Sequence, residues 1–158
     1  AGIRNVTSRV LDPMVDDDLE DYAQTADAVL VDAPCTGSGT LRRSPDIRWR
    51  EARLEELRQL QLQVLSDASQ LVKAGGRLVY ATCSLLAEEN QQLVEAFLLA
   101  NPGFAREGAT FPEFDRTFTA LQHQDAALAE RLQNVGELQL WPHRHNTDGF
   151  YAQVLRRF

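Results

Sequence analysis

The sequence predicts an α/β domain built on a mostly parallel sheet and closed by an antiparallel pair of strands at its edge. Three observations carry that expectation. Two short apolar runs, Val29-Leu30-Val31 and Arg77-Leu78-Val79-Tyr80, are each followed by turn residues and read as strands. Between them, from about Arg50 to Val72, Leu54, Leu57, Leu60, Val64, Leu65, Ala68, Leu71 and Val72 recur at helical spacing, the pattern of a long amphipathic helix. Leu138-Gln139-Leu140-Trp141 and Phe150 to Leu155, joined by Pro142 to Gly149, then read as the closing pair.

At 158 residues, 44% of them apolar, the chain fits one globular domain able to bury a core of its own. No internal repeat or Pro/Gly-rich linker divides it. No apolar run approaches the roughly 20 residues a membrane helix needs, and the start of the chain lacks a secretory pattern, so no membrane partner is expected. Two cysteines make no disulfide framework, which points to free thiols in a reducing, cytoplasmic setting. The net charge of −7 weighs against nucleic-acid binding, although a local basic patch matters more than the sum.

Taken in order, Asn5 to Leu11 alternates as a strand would and ends on Asp12-Pro13. Asp16 to Asp27 is acidic and holds no Lys or Arg, as a solvated loop or short helix would. The strand Val29 to Val31 then runs into Asp32-Ala33-Pro34-Cys35-Thr36-Gly37-Ser38-Gly39. Pro34 cannot donate to a sheet ladder and the glycines permit otherwise closed backbone angles, so the loop turns outward beyond the strand's carboxyl end. That is where open α/β sheets bind ligands. Next to it, Arg42, Arg43, Arg48 and Arg50 face a single carboxylate, Asp46, in the one locally basic stretch nearby. Gly75-Gly76 reads as the end of the long helix. The second strand then delivers Ala81-Thr82-Cys83-Ser84, so both cysteines of the chain follow strands. A further helix is expected from about Ala87 to Ala100, its Leu93, Val94, Phe97 and Leu98 facing the sheet, closed by Asn101-Pro102-Gly103. Phe104 to Thr119 reads as irregular, and Asp125 to Gln133 as a short helix.

Asp-Ala-Pro-Cys-Thr-Gly-Ser-Gly (32–39), Arg-Arg-Ser-Pro-Asp-Ile-Arg-Trp (42–49), Val-Tyr-Ala-Thr-Cys-Ser (79–84), Glu-Glu-Asn (88–90) and the closing Asp148-Gly149-Phe150-Tyr151 together resemble the Sun-type RNA cytosine-5 methyltransferases, most closely the bacterial enzymes that act on small-subunit ribosomal RNA. The resemblance covers nearly the whole chain. It implies a Rossmann-like class I methyltransferase sheet lacking its first two strands, with S-adenosylmethionine as methyl donor and RNA as substrate, small-subunit ribosomal RNA first and transfer RNA as the alternative.

The resemblance also assigns roles. Carbon-5 of cytosine is too weak a nucleophile to take a methyl group unaided, and adding a thiolate to carbon-6 pushes electron density onto it. Cys83 is the implied nucleophile, Cys35 the thiol of the release step, and Asp32 the group that neutralises charge developing at ring nitrogen 3. Asp12, Asp32 and Pro34 are the implied cofactor contacts, and Arg42, Arg43 and Arg48 the expected contacts to RNA phosphates. Each has a plainer reading beside it. A lone cysteine at a strand end is ordinarily a small buried hydrophobe, Asp32 and Asp12 are ordinary turn formers, and charge runs are usually solvated surface. His143 and His145 lack a third ligand at useful spacing, so no metal is expected. Trp49 and Trp141 could stack on a base, but packing is the commoner use.

The chain departs from the family in lacking the Gly-rich loop and the acidic residue that follow the family's first two strands. It also lacks the usual N-terminal RNA-binding region. It therefore reads as the C-terminal part of one catalytic domain, inactive alone, whose strand Val29 to Asp32 leaves a flank open to dimerisation. Two rivals from other classes are a thiol redox protein, for which the C-x-x-C motif is missing, and a noncatalytic RNA-binding remnant.

Overall fold

The computed structural model of the chain describes residues 5–8, 19–49, 53–108 and 115–158, the side chains of 115–117 excepted. Its regular elements are β1 (Ala26–Asp32), α1 (Leu54–Leu71), β2 (Val72–Thr82), α2 (Gln91–Ala100), β3 (Phe104–Arg106), α3 (Asp115–Gln124), α4 (Ala126–Val135), β4 (Glu137–Leu140), a short α5 (Pro142–His145) and β5 (Phe150–Arg157). Among the described residues the sheet runs β1-β2-β5-β3, with β4 also on β5.

β1 and β2 are parallel, with Leu30 opposite Val79 and Asp32 opposite Ala81. β5 lies antiparallel to β2, with Tyr151 opposite Thr82 and Leu155 opposite Leu78. Along its other edge β5 carries β4 against Phe150–Gln153 and β3 against Leu155–Arg157. The terminal strand pair expected from the sequence is therefore present, and β5 reaches inward to neighbour β2 instead of sitting at the rim. Alternation sets which face a residue occupies but not which strand lies beside it.

One face of the sheet makes the core. Val31, Leu78, Tyr80, Tyr151 and Leu155 pack against Leu65 of α1 and against Leu93, Val94 and Phe97 of α2, all nearly fully buried. The ring of Phe97 meets that of Phe104 edge-on at 5.5 Å between centroids. On α1 the fully covered positions are Gln61, Leu65 and Ser69, one turn apart in succession. On the other face of β1 Leu30 is 69% exposed. β1 has no partner on its outer edge among the described residues.

Several expectations are corrected. Gly75-Gly76 does not end the long helix, which stops at Leu71. Both glycines lie inside β2, where pairing with β1 slips between Ala26↔Val72 and Ala28↔Arg77. Gly75 takes φ +76°, and a Cβ on Gly76 would meet Lys73 O at 2.9 Å and Ala26 O at 3.0 Å. A bulge and a helix stop draw on the same glycine freedom, and here the bulge is built. The stretch Phe104 to Thr119, expected to be irregular, contains β3 and the start of α3. Residues 5–8 of the expected strand Asn5 to Leu11 are exposed and without regular structure. The remainder of that stretch, Asp12-Pro13 and the start of the acidic run at Asp16 lie outside the described residues.

The end of the chain has its own support. Asp125 caps α4 by accepting from Leu128 N at 3.0 Å, and its second oxygen accepts from Arg144 at 3.0 Å and meets His145 Nε2 at 3.2 Å. Trp141 N donates to His145 Nδ1, so the imidazole is a strut between α4 and α5. The long α1 gains a cap from β5, whose Arg157 donates to Val72 O at 2.8 Å.

Candidate active site

The parallel register of β1 and β2 brings the two cysteine loops together. With Asp32 opposite Ala81, and Ala33 N still donating to Ala81 O at 2.9 Å, the chains leave the sheet side by side. Cys35 follows three residues after Asp32 and Cys83 two after Ala81, and their sulfurs are 3.4 Å apart. Gly37, at φ +71°, turns the first loop into the single turn Ser38–Thr40.

Backbone contacts join this turn to two other segments. Gly39 N donates to Cys83 O at 2.9 Å, and Gly149 N donates to Gly39 O at 2.8 Å. A Cβ on Gly39 would lie 2.5 Å from Gly149 O and 2.8 Å from Cys83 O, so only glycine fits. Beside the junction Arg42 Nε is 3.8 Å from Asp148, and Arg43 pairs with the same carboxylate more closely. These two arginines thus latch the Asp148-Gly149 turn against the Cys35 loop.

Beneath the sulfurs lies a hydrogen-bond cluster around Glu89, which is fully buried. Glu89 Oε1 accepts from Thr36 N and from Gln61 Nε2, both at 2.9 Å. Glu89 Oε2 accepts from Thr36 Oγ1 at 2.6 Å and from Ser84 Oγ. Gln61 Nε2 also donates to Pro34 O at 2.8 Å. Asn90, equally buried, accepts from Thr82 Oγ1 at 2.6 Å and donates to Ser84 O at 2.9 Å.

Of the residues expected at the site, Cys35 and Cys83 are half-buried and in contact. Asp32 is exposed at the carboxyl end of β1, with no hydrogen-bond or ion-pair partner for its side chain among the described residues. Pro34 is exposed, with its carbonyl held by Gln61. Arg48 is exposed on the turn Pro45–Trp49, and Trp49 beside it is 84% exposed, not packed into the core. Asp12 and Arg50 lie outside the described residues. Sequence reasoning assigned no role to Glu89, Gln61, Thr36, Ser84 or Asp148. For Gln61 a signal existed, because it interrupts the ladder Leu57, Leu65 on the covered face of α1.

Burial, and secondarily the hydrogen bond with Cys83, pushes the Cys35 thiol up from the ordinary range to about 12, so at neutral pH it keeps its proton. Cys35 is thus a held S–H in contact with the sulfur of Cys83. Asp32 presents an exposed carboxyl group at the same end of the sheet. A thiol pair and a free carboxylate at the carboxyl ends of two adjacent parallel strands can serve addition to and elimination from a flat, electron-poor ring.

The chain is similar to proteins named as methyltransferases. Ribosomal RNA small subunit methyltransferase B of Shewanella oneidensis is 39% identical over 133 residues, covering 82% of this chain and 27% of its own. A solved methyltransferase homolog protein from Pyrococcus horikoshii shares 29% identity at a TM-score of 0.56, covering 84% of this chain and 39% of its own. NSun6 from Pyrococcus horikoshii, solved with SFG, shares 26% identity at a TM-score of 0.54, covering 81% of this chain and 29% of its own. The chain spans about a quarter of the length of the curated relatives it matches. The model of the 16S rRNA methyltransferase RsmB/F family matches residues 4–156, and the chain belongs to that family.

Proposed function

We propose that this chain carries the thiol half of an active site that methylates carbon-5 of a cytosine in small-subunit ribosomal RNA. The observation that carries the reading is the 3.4 Å contact between Cys35 and Cys83 at the mouths of two parallel strands. In the proposed sequence the Cys83 thiolate forms a bond to carbon-6, and the ring's electron pair moves toward carbon-5. Asp32, exposed and without a side-chain partner among the described residues, gives a proton from its protonated carboxyl form to ring nitrogen 3 as charge develops there. Burial holds the proton on Cys35 at neutral pH, which suits it to the release role and not to attack. After transfer, the carbon-5 proton leaves to a base, the carbon-6–sulfur bond breaks, and the Cys83 thiolate departs with that electron pair. Cys35, the neighbouring sulfur, is the proposed agent of this release.

The donor set at the loop fits S-adenosylmethionine: an open carboxylate, Asp32, for an ammonium, and the exposed Pro34 beside it. When bound, that cofactor supplies an electrophilic methyl group. Arg42, Arg43 and Arg48 are the proposed phosphate contacts, and the reading places the protein in the cytoplasm. The open edge of β1 is a proposed self-association surface.

The experiment is mass spectrometry of denatured protein after incubation with cofactor and ribosomal RNA, in a chain long enough to bind both. Cys35→Ala should accumulate a covalent RNA adduct and Cys83→Ala none; trapping by the Cys83 variant instead would reverse the two roles. The sulfur contact also admits a second reading, a reversible Cys35–Cys83 disulfide. Thiol titration under diamide, which would take two electrons and two protons from the pair, separates them: a redox protein re-reduces and keeps its function, while a methyltransferase loses adduct formation on oxidation.

A further inference from the structure

The residue that follows each cysteine donates to one buried carboxylate. Thr36, next to Cys35, gives Glu89 both its N–H at 2.9 Å and its hydroxyl at 2.6 Å, while Ser84, next to Cys83, gives its hydroxyl. Gln61 of α1 supplies the fourth donor at 2.9 Å, and Glu89 is fully buried. Three hydroxyl or amide side-chain groups and one backbone N–H thus meet its two oxygens. A buried carboxyl group is expensive to leave without hydrogen bonds, and this arrangement persists only while both loops contribute theirs.

We propose that Glu89 is the positioning residue of the thiol pair, fixing the separation of the two sulfurs by gripping Thr36 on one loop and Ser84 on the other. This rests on the reading of Cys35 and Cys83 as release thiol and nucleophile, but its test does not. Glu89 touches neither sulfur and acts through their chain neighbours. The Glu89 backbone is itself anchored, since Tyr80 of β2 donates its hydroxyl to Glu89 O at 2.8 Å. The carboxylate therefore refers both loops to the rigid centre of the sheet. Glu89→Gln would place an NH2 group where two donors already point, forcing one loop away.

Dibromobimane tests this on the 158-residue chain, because it fluoresces only when both its arms have bonded thiols in near contact. The native chain should cross-link Cys35 to Cys83 efficiently. Glu89→Gln should lower the yield at least tenfold, at a temperature where circular dichroism shows the variant folded and a one-armed bimane still labels each thiol. Thr36→Val and Ser84→Ala, which each remove one hydroxyl, should lower it about threefold, and they carry the test should Glu89→Gln fail to fold. Glu88→Gln, at the adjacent position, should leave it unchanged. An unchanged yield in folded Glu89, Thr36 and Ser84 variants, or no cross-link in the native chain, overturns the proposal. Normal cross-linking behaviour in a chain whose longer form traps no RNA adduct would instead overturn the proposed chemistry and leave the role of Glu89 standing.

Discussion

The sulfurs of Cys35 and Cys83 lie 3.4 Å apart across 48 residues of sequence, because Asp32 and Ala81 are register partners on parallel strands. Neither loop makes the site alone. The half-buried position that brings Cys35 against Cys83 also holds a proton on Cys35.

The burial of Cys35 predicts a pH dependence. Burial is the larger cause of the Cys35 shift, so it should survive removal of Cys83. In Cys83→Ala, iodoacetamide labelling of Cys35 should rise only well above the ordinary thiol range near 9, at a pH below about 12, because the hydrogen-bond contribution has gone. The stability consequence has a definite sign. The folded chain binds this proton more tightly than the unfolded one, so the stabilisation is whole below pH 9 and drains as pH rises toward about 12. Denaturant midpoints should therefore fall more steeply over that window for the native chain than for Cys35→Ala. Equal slopes would mean that Cys35 is not buried as described.

A second prediction concerns the triple junction. In Gly39→Ala the new methyl would overlap backbone atoms of Gly149 and Cys83, which cannot rotate away. The expected cost is about 1–3 kcal/mol, a melting point lower by roughly 2–10 °C for a domain of this size. Gly103→Ala has nothing within 4 Å of the added carbon and serves as the control, expected to stay within about 0.5 kcal/mol. Differential scanning calorimetry of both variants decides it.

The parts of this site that were legible in the sequence are those whose signal is local. An apolar run ending in Asp-Ala-Pro-Cys announces a strand and its loop, and Thr-Cys-Ser after Val-Tyr announces another. Glu89 was not legible in that way, because its donors come from 53 and 28 residues upstream as well as from the neighbouring Ser84. Gly75-Gly76 misled because a helix stop and a bulge need the same backbone freedom. The arginines were visible as charge, but their partner Asp148 comes from the far end of the chain. The place of β5 beside β2 was hidden because a strand's alternation carries no record of its neighbours.

The latch between those arginines and Asp148 shapes a third prediction. Arg42 and Arg43 are largely exposed, so losing the ion pairs should cost under about 1 kcal/mol of stability. If both also meet RNA phosphates, the double alanine variant should flatten the plot of log affinity against log salt by about 0.7 per lost contact on single-stranded RNA. Asp148→Asn should do the reverse to affinity, since it removes a competing anion and leaves both arginines in place. Fluorescence anisotropy with a labelled RNA at several salt concentrations measures this. An unaltered slope in the double variant would confine Arg42 and Arg43 to holding the Asp148-Gly149 turn.

The last prediction is about cofactor affinity in this chain. Asp32 is the carboxylate proposed to meet the ammonium of S-adenosylmethionine, and it is exposed. An exposed ion pair of this kind contributes about 1 kcal/mol or less, and the exposed ring of Pro34 adds only a small apolar contact. A micromolar dissociation constant requires roughly 8 kcal/mol. The two contacts fall several kcal/mol short, and the further grip must come from residues that the described part of the chain does not place there. Calorimetric titration of the 158-residue chain with S-adenosylmethionine should therefore show no saturable heat at concentrations on the order of 100 micromolar. Micromolar binding abolished by Asp32→Asn would show that this carboxylate is far better desolvated in the complex than its exposure here implies. Micromolar binding indifferent to Asp32→Asn would place the cofactor elsewhere and remove Asp32 from its site.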